Sequence, residues 1–312
     1  MDTSKCILLL SLYSLNRLDS ISKLLTSNKL DIDISVAIHH QDTPDLNKFL
    51  DRYHNRIKNI RFHQNYGVDI APFLNQIYHL DPIEYPYFIK LHSKESFWGS
   101  KFHVDWGTVL VDTFIGNNFN LHMNLNKLQN KHIGMISHNF LKLNDRELNN
   151  NHKINFLCGI LGIDYQAVGK GTFAAGSMFM SKTQIFQKYF NDQYKIIDAL
   201  LSNEIGKVND VNQKNGTYSH SLERIFGYIV TNENLKISNN ISKTIPIFNA
   251  EYKKLHLVIT YNDQCYLKED LNIYGKILYQ NNEKFEIQWL HLDHKPIVNY
   301  KYIDNKLLRD KL

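Results

Sequence analysis

Apolar and polar positions alternate along the first ninety or so residues in two rhythms. Residues 6–12 form a nearly continuous apolar run, the pattern of a strand buried on both faces. Residues 15–25 carry helical spacing, 34–40 read as a second strand, and 44–53 as a helix with Pro44 in its first turn. A short third strand is predicted over 60–63. After Asn65-Tyr66-Gly67-Val68-Asp69, the apolar residues Ile70, Phe73, Leu74 and Ile77 fall at i, i+3, i+4 and i+7. That spacing predicts a helix with Asp69 as its capping residue and Pro72 in its first turn, where a missing N–H costs little. Residues 87–91 read as a fourth strand that ends at His92-Ser93-Lys94. Strands alternating with helices predict an α/β fold with a parallel sheet, helices on both faces and ligands at the carboxyl ends of the strands.

The second half is less regular. A helix is predicted over 104–115, a strand over 133–137 and a strand rich in small residues over 172–180. One helix is expected across 182–201 and another across 218–230. Past about Phe248 the pattern changes, and 255–261, 273–279 and 285–290 read as strands of a small β-rich appendage. The expected organisation is a main domain over 1–248 followed by an extension over 249–312. No internal repeat is visible.

Bulk properties narrow the function classes. With 312 residues, 43% hydrophobic and 21% charged, the chain has the balance of a globular protein rather than a disordered one. Its 18 Tyr and 17 Phe are better explained by an A/T-rich coding sequence than by sugar handling. The formal charge of +5 suits an anionic ligand, but no block of Lys and Arg marks a nucleic-acid stripe. Cys6, Cys158 and Cys265 are far apart and lack metal-ligand spacing, as expected of reduced thiols in a cytoplasmic protein. The apolar run at 6–10 is too short to span a bilayer and lacks a cleavage site, so membrane association is expected to be peripheral at most.

Several constellations could carry chemistry. Asn65-x-Gly67-x-Asp69 lies between a strand and a helix, where glycine permits close approach and the helix N-terminus presents N–H groups to an anion or a ribose; a plain capped turn has the same spacing. His92 and Lys94 sit at the end of the fourth strand. A cation there can neutralise a diphosphate directly, and a solvated strand end is the alternative. The Asp-x-Asp at Asp31-Ile32-Asp33 precedes the second strand and is read as a loop feature. In the helix predicted over 218–230, Leu222, Ile225, Phe226 and Ile229 share an apolar face. Thr217, His220, Ser221 and Arg224 share another, and Glu223 stands three residues from His220. A His, a carboxylate and an Arg so placed could supply a base and a phosphate contact, or merely a surface ion pair. The His39-His40 and His291/His294 pairs lack partners at ligand spacing.

Four blocks taken in order resemble the rhamnan synthesis protein F family of polysaccharide-assembly glycosyltransferases. They are Asn65 to Leu74 (NYGVDIAPFL), Lys90 to Ser96 (KLHSKES), Ala175 to Phe179 (AGSMF) and His220 to Phe226 (HSLERIF). The resemblance spans about 60–230 and leaves the last sixty or so residues uncovered. It implies a GT-A-like fold, with a nucleotide-binding half at 1–95 and an acceptor-binding half at 96–248, and transfer of a sugar from a dTDP- or UDP-activated donor, such as dTDP-L-rhamnose, onto a glycan or lipid-linked glycan acceptor. A manganese or magnesium ion would be the usual aid, yet no Asp-x-Asp stands at the expected strand end, and His92-Ser93-Lys94 looks like its replacement. On this reading Asn65, Gly67 and Asp69 shape the nucleotide side, and His92, Lys94 and Arg224 contact the diphosphate. Gly176 and Ser177 leave room for the sugar, with Asp105 and Trp106 as acceptor contacts. Glu223, with His220 as the second candidate, is the base for an inverting displacement. One departure is Asn215, where the resemblance implies an acid just before Gly216-Thr217. A glycan-binding or scaffold protein that retains the fold without catalysis is the alternative.

Overall fold

The structure is a computed structural model. It describes residues 6–12, 18–27, 32–39, 43–93, 111, 114–115, 118–138, 142–144, 150–168, 171–204 and 216–239. Beyond these it describes strand backbone at 244–249, 254–261, 264–267, 273–280, 285–291 and 296–299. These residues fall into two compact units, one drawn from 1–95 and 107–240 and the other lying within 241–312.

The first unit is built on β1 (Cys6–Leu12), α1 (Leu18–Ser27), β2 (Asp33–Ile38), α2 (Pro44–Tyr53), β3 (Ile57–Phe62), α3 (Ile70–Tyr78) and β4 (Tyr87–His92). There follow α4 (Asn118–Gln129), β5 (Ile133–Ser137), β6 (Lys142–Asn144), α5 (Asn151–Leu161), α6 (Tyr165–Val168), β7 (Thr172–Ala174) and β8 (Phe179–Lys182). Helices α7 (Thr183–Phe190), α8 (Tyr194–Ser202) and α9 (Tyr218–Asn232) and strand β9 (Lys236–Asn239) complete it. The central sheet has seven strands in the order β3-β2-β1-β4-β8-β5-β9. Strands β3, β2, β1 and β4 are mutually parallel, as the alternation of strand and helix requires, and β5 pairs parallel with β9. Strand β8 runs antiparallel between β4 and β5, so the sheet is mixed rather than wholly parallel. It is a Rossmann-like α/β architecture with helices on the sheet's faces.

Strand alternation divides the core into two layers. Ile7 and Leu9 of β1 and Phe88 of β4 pack with Phe73 of α3, Phe186 of α7 and Phe226 of α9. Leu8, Leu10, Ile89 and Leu91 pack on the other side with Leu18, Ile21, Phe49 and Leu121. Because side chains on a strand alternate in direction, Lys90 and His92 share the face of Phe88, the face covered by α3 and α9. In the first layer, the Phe73 ring lies 5.5 Å from Phe88, 5.6 Å from Phe186 and 5.3 Å from Phe226, in the tilted and edge-on geometries that aromatic quadrupoles favour. The cluster fixes α3 and α9 against β4.

Local signals set several boundaries. Helix α2 starts with Pro44 at its head, and Thr43 Oγ1 accepts the Leu46 N–H at 3.2 Å. Strand β3 is longer than the predicted 60–63. The strand expected over 172–180 is broken, because a turn at Ala174–Ser177 separates β7 from β8. The helix expected over 182–201 is also broken, at the turn of Asn191-Asp192-Gln193. There α7 sends Phe186 and Phe190 into the core, while α8 sends Ile197 and Leu201. Of the helix predicted over 104–115, Val111, Phe114 and Ile115 are described, helical and buried.

The second unit is a six-stranded sheet, β10 (Thr244–Asn249), β11 (Lys254–Tyr261), β12 (Gln264–Leu267), β13 (Ile273–Gln280), β14 (Phe285–His291) and β15 (Pro296–Asn299). Each strand pairs antiparallel with the next, the up-and-down order that short connections produce. Among the described residues no helix is long and apolar enough to cross a membrane.

Candidate active site

At the carboxyl end of β4 the first unit brings three segments together: the turn before α3, the turn between β7 and β8, and the first turns of α9. The turn before α3 needs its glycine. Gly67 has φ +63°, and a Cβ there would stand 2.5 Å from the Ala71 Cβ. Val68 follows at φ +53°, an unusual conformation for a β-branched residue and one that persists only where the surroundings hold it. Outside this turn, Tyr66 Oη donates to Asp198 of α8 at 2.7 Å.

Asp69 begins α3, but its side chain makes no capping hydrogen bond. The expected cap is therefore corrected: the carboxylate turns away from the helix toward β4. There it accepts the Lys90 ammonium at 2.5 Å and the Ser177 hydroxyl, with His92 Nε2 4.0 Å away. Lys90 is 1% exposed and donates to three acceptors: Asp69 Oδ2, Ser177 O at 2.8 Å and Ser177 Oγ at 3.0 Å. Three protons meet three acceptors, so a charged ammonium is satisfied inside the protein. Burial alone would push the Asp69 carboxyl up, yet the Lys90 and His92 charges and the hydrogen bonds hold it well below the usual carboxylate range. Burial draws the Lys90 ammonium down, against the pull of Asp69.

The turn between β7 and β8 closes through the Ser177 N–H on Ala174 O at 3.1 Å. Gly176, at its third position, has φ +79°, as a type II turn requires, and Ser177 itself has φ +52°. Both polar groups of Gly176 are used. Its carbonyl accepts from His92 Nε2 at 3.0 Å and its N–H donates to Glu223 Oε1 at 2.6 Å.

Helix α9 is capped by Thr217, whose hydroxyl accepts the His220 N–H, and whose Oγ1 lies 2.9 Å from His220 Nδ1. Glu223 Oε2 accepts from Arg224 Nη1 at 3.2 Å, and the same nitrogen donates to the His220 carbonyl at 2.7 Å. The Arg224 guanidinium lies 4.8 Å from the centroid of the Phe173 ring, and the residue is buried. The helix face holding Ser221 and Arg224 is thus an interior face, while His220 is exposed. Burial pushes the Glu223 carboxyl up. Arg224, the Gly176 N–H and Lys90 oppose that rise, and Asp69 adds to it. Two carboxylates at one site are thereby driven apart: Asp69 is held as an anion and Glu223 is made more basic, the separation that divides acid–base roles.

Of the residues singled out in the sequence, the structure brings together Asp69, His92, Gly176, Ser177, Glu223 and Arg224. Gly67 is buried beside them, Asn65 is exposed at the start of the same turn, and His220 stands on the solvent side of α9. Lys94, Asp105 and Trp106 lie outside the described residues. Asp33 of the early Asp-x-Asp accepts from Tyr85 Oη at 2.7 Å and faces Lys58 at 3.4 Å. Sequence reasoning missed Lys90, although a lone lysine inside the apolar run of 87–92 was the available signal. It also missed Glu204, which is buried. Its Oε2 accepts the Tyr218 N–H at 2.7 Å, and its Oε1 lies 3.4 Å from Lys153 Nζ, which donates to the Gly216 carbonyl. This acid stands against Tyr218 at the head of α9, and nothing local in the sequence places it there.

A divalent ion does not fit the described residues. No group of three or more His, Cys, Asp or Glu among them is arranged to hold a metal, and the Asp69 carboxylate is taken by Lys90 and Ser177.

A family model described as rhamnan synthesis protein F matches residues 1–235, which contain the whole of this site. No curated protein matches the chain.

Proposed function

The chain belongs to the rhamnan synthesis protein F family, and from that premise we propose that it is a GT-A-like, nucleotide-sugar-dependent glycosyltransferase of polysaccharide assembly. The observation that carries the reading is the convergence of Asp69, Lys90, His92, Gly176 and Glu223 at the carboxyl end of β4. Ligands of open α/β sheets bind at that edge. The donor's nucleotide lies along the 65–69 turn, and its diphosphate faces His92, whose imidazole meets its negative charge. The sugar lies over Gly176, where a missing side chain leaves room.

Glu223 is the base. Its carboxylate takes the proton of an acceptor hydroxyl as that oxygen bonds to the sugar's anomeric carbon. The bond from that carbon to the diphosphate oxygen breaks in line, and its electron pair leaves with the diphosphate. The anomeric configuration inverts. Arg224 and the Gly176 N–H orient the two carboxylate oxygens, and Asp69 acts through Lys90 rather than on the substrate. His220, exposed and hydrogen-bonded to Thr217, is the weaker candidate for the base.

Thermal unfolding with UDP, dTDP, GDP and CMP, each with and without manganese, tests the donor site. A ligand at one hundred times its Kd stabilises the native state by about 2.7 kcal/mol, a rise of several degrees. The expected result is a selective rise with dTDP or UDP in both conditions. No rise with any nucleotide in either condition would refute the donor site and favour a glycan-binding protein without catalysis. Glu223→Gln is expected to keep the nucleotide shift while sugar transfer falls at least about a hundredfold.

A further inference from the structure

Lys90 is buried, and the Ser177 it holds lies in the turn whose Gly176 N–H meets Glu223. Two of its three protons go to one residue, Ser177, and the third goes to Asp69, which also receives the Ser177 hydroxyl proton. The residue before Ser177 is Gly176, whose carbonyl is held by His92 from the same face of β4 and whose N–H is held by Glu223 from α9. The turn is therefore pinned to the sheet on one side and to the candidate base on the other. Gly176 and Ser177 are both left-handed, at φ +79° and +52°. A serine keeps that conformation only where its surroundings over-determine it. The surroundings here are the Lys90 ammonium and the Asp69 carboxylate.

We infer that Lys90 is a positioning residue: by holding both the carbonyl and the hydroxyl of Ser177 it fixes the turn whose Gly176 N–H aims the Glu223 carboxylate. The inference rests on Glu223 being the base. It adds that the base's geometry and basicity are set from β4, across the sheet-to-helix gap, by a buried cation that contacts no substrate. Without Lys90, Ser177 relaxes from its left-handed conformation, the Gly176 N–H leaves Glu223, and the carboxyl loses a hydrogen bond that favours its charged form. The charged groups that bear on Glu223 are Arg224 of α9, Asp69 before α3 and Lys90 of β4.

The test reads Glu223 directly and needs no substrate, so it fails or succeeds independently of the transferase proposal. Protein labelled with 13C at the glutamate carboxyl is titrated by NMR, and the Glu223 resonance is the one lost in Glu223→Gln. In the double variant Lys90→Met/Asp69→Asn, one positive and one negative charge disappear together, and their effects on Glu223 have opposite signs. Ser177→Ala keeps both charges and removes the hydroxyl, leaving a Cβ in the left-handed conformation without one of its restraints, and it decides alone if the double variant does not fold cooperatively. Loss of a charge-assisted hydrogen bond corresponds to a rise of about one pH unit in the Glu223 midpoint, expected in both variants. Ser181→Ala removes a different buried hydrogen bond, from Ser181 Oγ to the Gly134 carbonyl. It is expected to lower the melting temperature without moving that midpoint, as a purely structural loss would. A Glu223 midpoint unchanged from wild type in folded Ser177→Ala, or moved equally by Ser181→Ala, overturns the inference.

Discussion

The same substitution at two helical glycines should change stability in opposite directions. Gly159 lies inside α5, exposed, and a Cβ built on it meets no atom within 4 Å. Gly227 lies inside α9, one turn after Glu223. A Cβ there would stand 2.1 Å from the Thr172 carbonyl oxygen and 2.9 Å from the Phe173 Cα, both backbone atoms of β7. Alanine favours a helix over glycine by about 1 kcal/mol at either site, chiefly by restricting the unfolded chain. At Gly159 nothing opposes that gain. At Gly227 the obstruction cannot rotate away, so α9 must retreat from β7 by roughly 1 Å, and overpacking of this kind costs about 3 kcal/mol where backbone is the obstacle. The net is a loss of about 2 kcal/mol for Gly227→Ala and a gain of up to about 1 kcal/mol for Gly159→Ala. For a unit of this size those values lower the melting temperature by about 4–8 °C and raise it by about 2–4 °C. Calorimetry or circular dichroism at one pH reads both. Gly227→Ala melting at or above wild type would refute the close approach of α9 to β7, and with it the placement of Glu223 against the Gly176 turn.

Two further outcomes follow from the buried charges. Lys90→Met leaves the Asp69 carboxylate without its cation and should cost about 3–5 kcal/mol in urea unfolding, whereas Lys90→Met/Asp69→Asn should recover most of that loss. Equal losses in the single and double variants would show that the pair is not coupled. The Glu223 carboxyl is raised in the folded state, so its contribution to stability is full below the unfolded value near 4.5 and is lost as pH rises through the folded value. Glu223→Gln lacks this dependence, and its melting temperature relative to wild type should therefore climb as pH rises above 4.5. A constant or falling difference contradicts the burial of that carboxyl. Asp69 has the opposite sign: held low, it adds stability above the ordinary carboxylate range that disappears as pH falls toward its folded value.

Much of the first unit was legible in the sequence because the signals there are local. The apolar run of 6–12 could only be a strand buried on both faces, and β1 occupies those residues. Pro44 fixes a backbone angle suited to a helix start, and α2 spans 44–53 as predicted. Periodicity placed α3 after the Asn65-x-Gly67-x-Asp69 turn because Phe73 and Ile77 must lie on one face. What the periodicity could not express is competition. Residues 172–180 have strand composition, yet the chain turns at 174–177 because the Ser177 side chain and backbone find stronger partners in Lys90 and Asp69. The run of 182–201 has helical spacing, yet it breaks at Asn191-Asp192-Gln193, between two helices that each send their own apolar residues into the core.

By itself, then, the sequence determined the order of β1 to β4 with α1 to α3 between them, the glycine-dependent turn before α3 and the helix that carries Glu223, since each depends on residues a few positions apart. The tertiary structure alone decided that β8 runs antiparallel beside β4, that Asp69 abandons its helix cap, and that Lys90 finds three acceptors in the interior. Those outcomes join residues 21, 87 and 108 positions apart in the chain. A buried charge is tolerable only where several such distant partners arrive together, and no local pattern records their arrival.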